Sequence, residues 1–71
     1  PVQGVVKVWD PATGFGVIVR DDDRSEVLLR PASLDGSVFR MLRQGQRVVF
    51  DLEPGDERAY AVRIRLGSDG Y

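Results

Sequence analysis

The chain has 71 residues, with ten Lys or Arg against eleven Asp or Glu and a formal net charge of −1. That length holds one small domain, with a stability on the order of a few kcal/mol. There is no cysteine and no histidine, which excludes disulfide scaffolds, thiolate catalysis, zinc sites built on those ligands and imidazole acid–base chemistry.

Short apolar stretches separated by turn signals run along the whole chain and predict an all-β fold. Residues 4–9, GVVKVW, are rich in β-branched side chains and read as the first strand. DPATG at 10–14 is turn chemistry, and FGVIVR at 15–20 is the second strand. DDDRS at 21–25 is an acidic turn. EVLLR at 26–30 is a third strand that stops at Pro31, and PASL at 31–34 fits one helical turn with proline at its start. Residues 35–45 form a long connection carrying Phe39, Met41 and Leu42. QRVVFDLE at 46–53 and RAYAVRIR at 58–65 alternate as strands around the turn PGDE. Five strands in this length fit a small closed barrel, which leaves no open sheet edge. The expected organisation is a domain over 1–66 and a flexible tail over 67–71.

Strand alternation sorts the side chains onto two faces. The expected core is Val6, Ile18, Val27, Leu29, Val48, Phe50, Val62 and Ile64. Lys7, Trp9, Phe15, Val17, Leu28 and Arg30 then share an outer face, while Val8 goes with Val6. Rings and aliphatic groups interleaved with cations suit single-stranded nucleic acid: bases stack while cations meet phosphates. A sheet face covered by another protein has a similar composition. Nine of the ten basic residues are Arg, the residue better suited to bidentate and stacking contacts. The glycines on either side of Phe15 are expected to let a partner approach the ring.

GVVKVWDPATGFGVIV, then EVLLRPASL, GSVFRMLRQGQRVVFDLE and AYAVRIR, together resemble the bacterial cold-shock domain. The family pattern is roughly G-x-V-K-W-F-N-x-x-K-G-F-G-F-I, then V-F-V-H-F-S-x-I, then G-F-R-x-L-x-E-G-Q-x-V-x-F. The likeness runs from about Gly4 to Arg65. It implies a five-stranded antiparallel OB-type barrel that binds single-stranded RNA or DNA with low sequence specificity, in the manner of an RNA chaperone. It implies no enzyme activity, cofactor or metal. Lys7, Phe15 and Phe39 stand at matching family positions, and Trp9 replaces a phenylalanine. The implied nucleic-acid contacts are Lys7, Trp9, Phe15, Val17, Leu28, Arg30 and Phe39.

The departures from that pattern bear on affinity. Val8 stands for the family tryptophan, Val17 for the second phenylalanine of GFGF, and Leu28, Arg30 and Pro31 for Phe, His and Phe. Thr13 replaces a lysine. Rings are therefore absent at Val8, Val17, Leu28 and Pro31. At roughly 1 kcal/mol lost for each missing ring, binding weakens by about a thousandfold. Arg30 recovers part of this, because guanidinium planes stack on bases, and Arg40 and Arg43 add cations to the long connection.

Some residues admit two readings. Phe39 fits a stacking role or an anchor into the core. Asp21, Asp22 and Asp23 lack the ligand spacing of a calcium loop and read as a solvated turn. The aliphatic residues beside Phe15 also suit a protein partner or a homodimer. Nothing resembles a signal peptide and no apolar run approaches membrane-spanning length. The expected location is the cytoplasm, which the absence of cysteine fits.

Overall fold

The computed structural model describes residues 1–67. Five strands form: β1 (Val2–Trp9), β2 (Gly16–Arg20), β3 (Glu26–Leu29), β4 (Arg47–Glu53) and β5 (Tyr60–Leu66). They close into a barrel in the order β1-β2-β3-β5-β4. Four of the pairings are antiparallel. The closure between β3 and β5 is parallel and rests on the pair Leu28 and Tyr60. Pro31–Leu34 forms a 3-10 turn. Ser33, fully buried there, accepts a 3.1 Å hydrogen bond from the Arg30 N–H and donates its own N–H to the Arg30 carbonyl at 2.8 Å. Residues 68–71 of the expected tail lie outside the described residues. Gly67 is buried, and its N–H reaches the Arg47 carbonyl.

The core contains Val6, Ile18, Val27, Leu29, Val48, Phe50 and Ile64 as alternation predicts, with Leu34, Leu42 and Ala61 added. Val62 is a correction: it is only half-buried, and Ala61 takes its inward place. The reason is an extra residue in β5. Val49 pairs with Arg65 but Asp51 pairs with Val62, so three steps on β5 match two on β4. Arg63 absorbs the mismatch with a left-handed φ of 53°, and the bulge turns both Ala61 and Ile64 inward.

A second bulge changes β1. Val6 pairs with Ile18 but Val8 pairs with Val17, so Lys7 is the extra residue. Lys7 and Val8 both point outward, Val8 half-exposed, and Trp9 swings inward to pack against the core. Trp9 is therefore not on the outer face with Lys7, and Val8 takes its place. Gly16 permits this bend: a Cβ there would lie 2.3 Å from the Val8 carbonyl oxygen. Gly14 has a φ of 79° and sits against Pro31. Both glycines beside Phe15 thus have a role in the barrel's own backbone geometry.

Candidate nucleic-acid interface

β1, β2 and β3 present one continuous outer surface. Register places Val5, Val19 and Glu26 in one outward row and Val8, Val17, Leu28 and Tyr60 in the next. The second row is three aliphatic side chains ending on a tyrosine ring. Phe15, one residue before β2, is 54% exposed. An Asp10–Phe15 backbone bond of 2.9 Å closes the turn beneath it, and Asp10 Oδ1 accepts the Ala12 N–H at 2.9 Å. The hairpin thus holds an aromatic ring at the surface without burying it.

Arg30 follows β3 and lies over the ring of Tyr60, its guanidinium carbon 4.2 Å from the ring centroid. Glu53, at the end of β4, pairs with the Arg30 guanidinium. Arg30 Nε is buried and has no hydrogen-bond partner among the described residues. A cation over a tyrosine face gains electrostatic attraction from the ring, and the carboxylate at its edge fixes its direction. Leu28, Arg30, Arg58 and Tyr60 line an open cleft beside residues 54–57. The sequence pattern gives Tyr60 and Arg58 no role. Only the β3–β5 closure brings them to this face, and no local pattern reports a pairing thirty residues apart.

On the other flank, Glu26 holds two cations. Lys7 Nζ lies 2.8 Å from Oε2 and Arg58 Nη1 lies 2.8 Å from Oε1. Hydrogen bonding by Lys7, then its charge, then Arg58 hold the Glu26 carboxyl below its ordinary pKa. Lys7, Arg30 and Arg58 are thus all paired with carboxylates. Arg24, Arg40 and Arg43 have no carboxylate partner among the described residues.

The structure brings Lys7, Val17, Leu28 and Arg30 together on this face, with Phe15 exposed at the start of β2. It sets Trp9 and Phe39 apart, both half-buried against the core. Trp9 lines a separate hollow with Pro31 and Arg40. The triple-aspartate turn is bound up internally. Asp22 pairs with Arg20 at 2.6 Å, Asp23 accepts from the Ser25 N–H and hydroxyl, and Asp21 pairs with Arg47. Among the described residues, no group of three or more acidic side chains is placed to hold a metal ion. Nor is any helix among them long and apolar enough to cross a membrane.

The model of the 'Cold-shock' DNA-binding domain family matches residues 2–66. The chain belongs to the cold-shock domain family. The family binds nucleic acid and is not a family of enzymes. The chain is 32% identical over 63 residues to the cold shock-like protein CspC of Buchnera aphidicola, covering 89% of this chain and 91% of that one. It is 31% identical over 65 residues to the cold shock-like protein CspA of Rickettsia bellii, with 92% and 93% covered. CspC of Escherichia coli K12 is 30% identical over 63 residues, with 89% and 91% covered. In this cold-shock domain the outer row is aliphatic where the family pattern is aromatic, and a tyrosine–arginine stack stands at its end.

Proposed function

We propose that this cold-shock domain binds single-stranded RNA or DNA on the outer face of β1, β2 and β3. Binding has low sequence specificity and is weaker than a face filled with rings provides. The setting is a cytoplasmic RNA chaperone. One observation carries the reading: an exposed Phe15 and a Tyr60-backed Arg30 flank a row made of the exposed Val8 and the half-buried Val17 and Leu28. Bases rest on the rings, the guanidinium and the aliphatic row, and Lys7 and Arg58 meet the backbone. Low specificity follows from stacking, since every base has a π-face.

Fluorescence anisotropy of a dye-labelled oligothymidylate tests this. The reading requires saturable binding at about 50 mM salt that weakens clearly at about 200 mM. A second reading, a protein or self-association surface, draws on the half-exposed Val8 and Phe15. Apolar contacts hold or strengthen as salt rises. A folded protein with no oligonucleotide binding, and with self-association that survives high salt, would establish that second reading instead.

A further inference from the structure

The bridge at Glu26 has the pattern of a ligand complex. One carboxylate presents two oxygens on a single carbon, one to the Lys7 ammonium and one to the Arg58 guanidinium, each at 2.8 Å. A backbone phosphodiester presents two non-bridging oxygens on a single phosphorus, with the same charge and the same acceptor role. We infer that Lys7 and Arg58 form a phosphate subsite, and that Glu26 fills it in the free protein. This rests on the single-strand binding proposed above and says where one phosphate goes.

The position supports it. Glu26 lies in the outward row that begins with Val5 and Val19, next to the row where bases would lie. Leu28 in that row donates its N–H to the Ala59 carbonyl at 3.0 Å, which fixes the chain beside Arg58 against β3. Both cations stay more than half exposed, so a phosphate reaches them without unfolding anything. A strand arriving on the face exchanges with the carboxylate. Glu26 is then an internal competitor that lowers affinity and blunts salt dependence, and it accounts for a nucleic-acid face within an acidic protein.

Asp51 supplies a matched control. It also holds cations, Arg63, Arg65 and the Pro1 ammonium, but on β4, β5 and the chain start, away from this face. Glu26→Gln and Asp51→Asn make the same change in net charge, and each frees its paired cations, two at Glu26 and three at Asp51. Anisotropy with the labelled oligothymidylate is measured across salt for the wild type and both variants, with folding checked by thermal melting. The inference predicts that Glu26→Gln binds about fivefold tighter at low salt. It also predicts a steeper slope of log affinity against log salt, by about 0.7, the signature of one further neutralised phosphate on a single strand. Asp51→Asn changes affinity by roughly twofold or less, because the arginines it frees lie on β5 and are exposed, and meet no phosphate of a strand bound across β1, β2 and β3. Arg58→Gln in the wild type weakens binding by about fivefold and leaves the already blunted slope nearly unchanged, whereas Arg65→Gln changes affinity by about twofold or less; this pair decides the matter should Glu26→Gln fail to fold.

Equal gains from Glu26→Gln and Asp51→Asn would reduce the effect to net charge and overturn the subsite. Wild-type binding with no gain from Glu26→Gln would overturn it as well, and leave the single-strand reading standing. Absence of binding in every variant would overturn both.

Discussion

Arg30 and Tyr60 stack across the parallel closure of the barrel, 4.2 Å from guanidinium carbon to ring centroid. They are thirty residues apart in the chain and meet only because Leu28 of β3 pairs with Tyr60 of β5. The stack gives a flat cationic plate where the family pattern has a histidine.

Arg30→Lys separates plate from charge. Lysine keeps the positive charge near Glu53 but has no plane to offer a base. The expected loss is about 1 kcal/mol, roughly fivefold in oligonucleotide affinity, with little change in salt slope. Tyr60→Leu, which removes the ring under the guanidinium, weakens binding in the same direction. Anisotropy titration of both variants checks this.

Val17→Phe adds a ring in the middle of the outward row, where Val17 is half-buried between Val8 and Leu28. One base–ring stack is worth about 1–3 kcal/mol, so affinity should rise at least about fivefold. Unchanged affinity in a folded variant would mean that the row is not where bases lie.

Arg63 holds a left-handed φ of 53° at the β5 bulge. Asparagine tolerates that conformation better than arginine, and a β-branched residue tolerates it worst. Arg63 also pairs with Asp51 at 2.7 Å, but an exposed pair is worth at most about 1 kcal/mol. Arg63→Asn should therefore leave the thermal midpoint unchanged or raise it. Arg63→Val should lower it by several degrees, about 4–8 °C for each kcal/mol lost in a domain of this size.

Acid stability follows from depressed carboxylates. Hydrogen bonding from Arg20, then from the Asp23 backbone, pulls Asp22 from 3.8 to about 2. Ser25 bonds lower Asp23, and Arg63 and Arg65 lower Asp51. A lowered folded pKa means that the unfolded chain takes up protons first as pH falls. The stabilisation is complete above the ordinary values near 4 and disappears as pH drops through the folded ones. Melting temperature should be flat from neutral pH to about 5 and fall below about 4. Asp22→Asn should flatten part of that fall, most visibly between pH 3.8 and about 2.

Strand positions were legible because β-branched alternation and turn residues fall at every boundary, and Pro31 marks the 3-10 turn. Seven of the eight expected core residues are buried, since period two holds wherever the ladder is regular. The bulges at Lys7 and Arg63 broke that rule. One extra residue leaves no trace in composition yet moves every later side chain to the other face. Trp9 went inward and Val8 outward by this slip, and Val62 left the core. Gly16 was the available signal, because a glycine inside a strand marks a bulge or a close backbone approach. The Lys7–Glu26–Arg58 bridge depends on both hairpin register and barrel closure, which local patterns do not contain.

Amide chemical-shift mapping of the labelled protein with oligothymidylate shows which face of the barrel meets a single strand. Binding across β1, β2 and β3 perturbs Lys7, Val8, Phe15, Val17, Leu28, Arg30 and Tyr60 most, with β4 and Arg65 quiet. Perturbations centred on Arg63, Arg65 and β4, or none at all in a folded sample, would contradict it.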